Sequence, residues 1–78
     1  MPLIRYWAAA REAAGGAEET LPGATGGELL DAAARGRDER FVRVLGVASY
    51  LVDGARAGRE VALAEDSVVE VLPPFAGG

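Results

Sequence analysis

The run Val68-Val69-Glu70-Val71-Leu72 has the β-branched, alternating character of a strand with one buried face, and Pro73-Pro74 cuts it short. Neither proline can donate to a sheet ladder, and each fixes φ at about −65° while pushing the residue before it out of the helical region. The last regular element therefore ends near Leu72, and the chain then leaves the body as a stiff, extended segment. Residues 73–78, Pro-Pro-Phe-Ala-Gly-Gly, can span about 20 Å when extended. Gly77 and Gly78 strip the tip of side chains, so it can thread a narrow channel and carry the carboxylate of Gly78 into a partner's active site. The sequence thus predicts a body over residues 1–72 and a tail over 73–78. The competing reading is an inert, frayed terminus.

The rest of the chain offers little chemistry of its own. At 78 residues it makes one small domain. It has no cysteine, which excludes a disulfide or thiolate metal site and points to a reducing, cytoplasmic setting. It has no histidine, so the commonest metal ligand and general base are missing. Ser49 and Ser67 consequently lack an activating partner, and the carboxylate pairs Glu18-Glu19 and Glu65-Asp66 are sequence neighbours that point apart or to solvent. The chain is not expected to be an enzyme on its own or to bind a metal. Net charge is −4 without a basic stripe, which argues against nucleic acid and for a basic protein partner. No apolar run approaches the ~20 residues of a membrane span, and no signal segment is evident. All eight basic residues are arginine, a compositional bias with one consequence: the chain cannot be linked to itself through lysine.

Local signals divide the body. Leu3 to Trp7 reads as a strand, with Ile4 and Tyr6 on the core face and Leu3, Arg5 and Trp7 on the other. The alanine-rich stretch Ala8 to Ala14 is a short helix stopped by Gly15-Gly16. Glu18 to Leu21 is an edge strand whose glutamates resist further pairing. Thr25 and Glu28 form a capping box for a principal helix over 26–35, with Leu29, Leu30, Ala33 and Ala34 inward and Gly36 as its stop. The cap by itself accounts for Gly26-Gly27, whose spacing fits no phosphate-binding signature. Asp38 caps a shorter helix carrying Phe41 and Leu45 and ending at Gly46. Val47 to Val52 is a strand closed by the Asp53-Gly54 turn, and Glu60 to Leu63 is a brief strand or bridge. This order predicts an α+β, two-layer fold in which the first and last strands are parallel central neighbours. Ile4, Tyr6, Leu29, Leu30, Leu51, Val69 and Val71 form its expected core. The tail then springs from the best-anchored place in the sheet.

Tyr6-Trp7-Ala8, Arg11-Glu12, Gly15, Val52-Asp53-Gly54, Leu63 and the closing Leu72-Pro73-Pro74-Phe75-Ala76-Gly77-Gly78 together resemble the small subunit of molybdopterin synthase and the MoaD-like sulfur carriers. The resemblance spans the chain and is most specific at Pro-Pro-x-x-Gly-Gly. It implies a ubiquitin-like β-grasp fold, a mixed sheet with one principal helix packed across it. It also implies that a ubiquitin-activating-type adenylyltransferase uses ATP to adenylate Gly78, with no cofactor bound by the chain itself. A sulfur donor enzyme would then convert the adenylate to a thiocarboxylate. Inserted into the molybdopterin synthase large subunit, the tail would deliver sulfur to a cyclic pterin phosphate. By the same resemblance Gly78 carries the sulfur, Gly77 gives the slender approach, and Leu72, Pro73, Pro74, Phe75 and Ala76 line the partner's channel. Arg5, Trp7, Val68 and Leu72, on the sheet face without a second layer, are the candidate surface for docking on that large subunit. The chain departs from the family pattern at Ala76, where serine or threonine is common, and at Glu65-Asp66, which replaces an Asp-Gly turn and calls for a left-handed Asp66. A thiamin-pathway sulfur carrier, a ubiquitin-like protein modifier and a plain interaction domain are the alternatives.

Overall fold

The computed structural model describes residues 1–74 of the chain. Among these residues eight elements succeed one another: β1 (Leu3–Tyr6), α1 (Ala8–Ala14), β2 (Glu18–Thr20), α2 (Gly26–Ala34), α3 (Glu39–Val47), β3 (Ser49–Val52), β4 (Ala55–Ala57) and β5 (Val68–Leu72). The strands make one mixed sheet in the order β2-β1-β5-β3-β4. β5 pairs in parallel with β1, Leu3 opposite Val68 through Tyr6 opposite Val71, and antiparallel with β3, Ser49 opposite Leu72 through Val52 opposite Val69. Both edges of the last strand are therefore bonded, as expected for the central member of a β-grasp sheet. Helices cover one face only.

The core is read off the strand alternation. Val69 and Val71 of β5 and Ile4 and Tyr6 of β1 point inward and meet Leu29, Leu30 and Ala33 of α2, Phe41 and Leu45 of α3 and Ala10 of α1. Leu51 departs from expectation. Every residue of Tyr50-Leu51-Val52 is apolar, so β3 carries no alternation to read, and the register decides: Leu51 lies opposite Glu70 and is half-buried on the outer face, while Tyr50 and Val52 pack against the core.

α2 lies across the sheet as expected, and α3, expected to be shorter, matches it at nine residues. Thr25 Oγ1 accepts from the Glu28 amide at 3.2 Å, and the Glu28 carboxylate reaches back to the Ala24 amide at 2.9 Å, which completes the α2 cap. Asp38 Oδ1 accepts from the Phe41 amide at 3.1 Å and starts α3. That helix runs through Gly46, contrary to the predicted stop, and ends where Ala48 turns extended. Gly46 costs about 1 kcal/mol of helix propensity, which the fully buried Phe41 and the buried Leu45 offset by their packing. Phe41 meets Tyr6 edge-on at 5.6 Å, and Arg37 lies over the Phe41 ring at 4.9 Å. Glu19 accepts from both the Tyr6 hydroxyl and Arg37, each at 2.7 Å, and ties β2 to the helical layer. Burial, reinforced by the Glu19 carboxylate, pushes the Tyr6 phenol well above its ordinary range.

Of the two forms expected for residues 60–63, strand or bridge, the structure has the bridge, and the reading of the glycine pair is extended. The minor strand is Ala55–Ala57, formed because Asp53 (φ 50°) and Gly54 (φ 86°) close a two-residue hairpin onto β3. Residues 60–63 contribute only a bridge between Ala62 and Thr25. The amides of Gly26 and Gly27 donate to the carbonyls of Val61 and Arg59, and a Cβ on Gly26 would sit 3.1 Å from the Gly58 carbonyl. The cap is thus only half the reason for the glycine pair, the other half being room for the 58–61 loop. Among the described residues, no helix is long and apolar enough to cross a membrane.

Candidate functional site

β5 is held at its start by two contacts that sequence reasoning missed. The Asp53 carboxylate accepts from the Val68 amide at 2.9 Å while the Asp53 amide donates to the Val68 carbonyl. Buried Ser67 closes the preceding turn, its hydroxyl accepting from the Ala64 amide at 2.8 Å. This turn does not use a left-handed aspartate: among the described non-glycine residues only Ala8 and Asp53 have positive φ, so the expectation for Asp66 is overturned. The seryl hydroxyl does locally what a glycine would do by conformation.

At its other end, β5 is flanked on both sides. The Trp7 amide donates to the Val71 carbonyl at 3.2 Å, and Ser49 stands opposite Leu72. Pro73 is still buried and Pro74 is exposed, so the chain leaves the body one residue later than Pro-Pro alone suggests. Phe75, Ala76, Gly77 and Gly78, the predicted tip, lie outside the described residues.

The remaining predicted residues are brought together on the uncovered face. Arg5 is half-buried and its Nε bonds Glu18 at 3.0 Å. Trp7 is 42% exposed, and its indole N–H donates to Glu70 at 3.3 Å. Val68 and Leu72 are half-buried, with Leu51 beside them. The face is apolar in patches and crossed by charge, the composition of a surface that meets a partner. An open cleft of about 320 Å³ lies elsewhere, between Pro22, Glu28, Asp31 and Arg35, and shares no lining residue with the exit. No group of three or more His, Cys, Asp or Glu is placed to hold a metal among the described residues.

A β-grasp body whose doubly bonded central strand runs straight into buried Pro73 and exposed Pro74 defines the class: a ubiquitin-like domain. The ThiS family model matches residues 4–78, and the chain belongs to that family. Its fold is similar to that of small archaeal modifier protein 1 from Methanosarcina acetivorans (TM-score 0.85, 22% identity, covering 99% of this chain and 95% of that one). It is also similar to SAMP1 from Haloferax volcanii (0.79, 26%, 99% and 98%) and to CysO, an antigen, from Mycobacterium tuberculosis (0.78, 16%, 94% and 98%). No curated protein matches the chain. It is a small ubiquitin-like protein of the ThiS/MoaD type, a sulfur carrier or modifier, and such carriers work with activating enzymes and partner enzymes.

Proposed function

We propose that this chain is the sulfur-carrying small subunit of molybdopterin synthase. The observation that carries the reading is the direct passage from the central strand, bonded to β1 and β3, into a Pro-Pro-x-x-Gly-Gly end. A rigid origin matters because ordering a tail costs about 1–2 kcal/mol per residue in backbone entropy, less where proline has already restricted φ. The body offsets that cost by docking, through an interface of about 1,000 Å² or more, which makes the isolated tail peptide a poor substitute.

In this reading the Gly78 carboxylate, a poor electrophile when ionised, attacks the α-phosphorus of ATP on a ubiquitin-activating-type adenylyltransferase and pyrophosphate leaves. Sulfide-level sulfur from the donor enzyme then attacks the acyl carbon and AMP leaves, giving a thiocarboxylate. Gly77 and Gly78 pass through the large subunit's channel, the sulfur goes to the cyclic pterin phosphate, and water restores the carboxylate. A chain without cysteine has no thiol on which to hold sulfur instead.

The protein-modifier reading has one observation in its favour, the 26% identity with SAMP1 of Haloferax volcanii. There the adenylated Gly78 would acylate a lysine amine of a target protein. Intact-mass spectrometry after treatment with ATP, the activating enzyme and a sulfur donor separates the readings. A sulfur-for-oxygen exchange at Gly78, with dithiolene formation once the large subunit and the pterin precursor are added, supports the molybdopterin reading. Transfer only to a thiazole synthase, or an isopeptide bond to other proteins, replaces it with the thiamin or the modifier reading.

A further inference from the structure

The strand registers lay one row of side chains across the uncovered face: Glu18, Arg5, Glu70, Leu51, Arg56. Three of its charges are already engaged, Arg5 with Glu18 at 3.0 Å and Arg56 with the Ser49 hydroxyl at 3.3 Å. Glu70 is different. It sits on the central strand, half-buried, and among the described residues it joins none of the ion pairs. Among the described residues its Oε1 accepts only the Trp7 indole N–H, at 3.3 Å. Half-buried beside Arg5 in the row yet outside its ion pair with Glu18, this carboxylate keeps acceptor capacity for a further donor.

The same hydrogen bond ties the edge of the Trp7 indole to the carboxylate, and with 42% of Trp7 exposed, it stands beside that anion as an aromatic surface. An anion next to an aromatic surface is the recognition chemistry of a guanidinium, which can donate to a carboxylate and stack on a ring at once, whereas an ammonium is a hydrated point charge. Half-buried Val68, Leu51 and Leu72 surround the pair and would exclude water once covered, which strengthens a charge pair formed there.

We propose that the Trp7–Glu70 pair is the docking site for an arginine side chain on the activating enzyme that adenylates Gly78. The inference rests on the carrier reading in one respect: the enzyme that takes the tail must cover the face from which it leaves, and Glu70 is two residues before Leu72. The overall charge of −4 complements such a basic element.

The test is Glu70→Gln, which keeps an oxygen to accept the Trp7 N–H and removes only the charge. In ATP-dependent pyrophosphate exchange with the cognate activating enzyme, the KM for the carrier should rise at least about tenfold with kcat retained, as for the loss of uniform binding. The salt dependence of KM should flatten, and the melting temperature should stay that of the wild type. Trp7→Phe, which keeps an aromatic surface without the N–H, should raise KM less. A Glu70→Gln KM within about twofold of wild type overturns the proposal while leaving the carrier reading intact. A wild-type chain that the enzyme does not adenylate at all overturns both.

Discussion

Asp53 holds a left-handed backbone at φ 50° and at the same time accepts from the Val68 amide at 2.9 Å, so one residue both turns the β3–β4 hairpin and pins the start of β5. The two roles can be separated by substitution. Asp53→Gly keeps the left-handed conformation and loses the hydrogen bond, which at this exposed site should cost about 1 kcal/mol, with a few tenths more from added freedom in the unfolded chain. Asp53→Ala loses the bond and also places a Cβ in the left-handed region, at about 1–2 kcal/mol further, for a total of about 2–3 kcal/mol. Asp53→Asn tolerates the conformation and still offers an oxygen, so it should stay within about 1 kcal/mol of wild type. A domain of this size has about 4–12 kcal/mol of stability, and 1 kcal/mol moves its melting temperature by about 4–8 °C. Asp53→Ala should therefore melt about 8–24 °C lower, and urea denaturation should order the variants Asn, Gly, Ala from mildest to most severe. Equal losses for Asp53→Gly and Asp53→Ala would refute the assignment of strain to this position, and no loss for Asp53→Gly would refute the clamp on β5.

Leu30→Ala, in a side chain only 2% exposed, should cost about 2–5 kcal/mol in urea denaturation, whereas Leu51→Ala, on the outer face, should cost less than about 1.5 kcal/mol. The Tyr6 phenol is raised in the folded state, first by burial and then by Glu19, and burial raises Tyr50 in the same direction. A raised folded value favours the native state fully below the unfolded phenol value of about 10, and that advantage is lost as pH climbs above it, by up to about 1.4 kcal/mol per pH unit per tyrosine. Melting curves from pH 8 to 12 should show alkaline unfolding that Tyr6→Phe reduces. Deleting Gly78 should abolish thiocarboxylate formation and leave the melting temperature unchanged, as read by mass spectrometry and calorimetry.

The features legible without tertiary structure are those that depend on neighbours along the chain. Thr25 and Asp38 accept from amides three residues on, Gly15 takes its left-handed cap, Asp53-Gly54 turns, and the alternation of Val69 and Val71 marks the inner face of β5. The Pro-Pro exit belongs here too, since a missing N–H is a property of the residue itself. Contacts between distant segments decided the rest. Leu51 faces outward because of its register with Glu70, Gly26 and Gly27 make room for a loop more than 30 residues away, and Pro73 stays buried although the ring that ends the ladder is the same. The Trp7–Glu70 pair joins residues 63 apart in sequence, brought together by the parallel pairing of β1 with β5. Local propensity acts over a turn of chain, whereas which face a side chain takes, and which charge is left without a partner, is set by strand register, a property of the whole sheet.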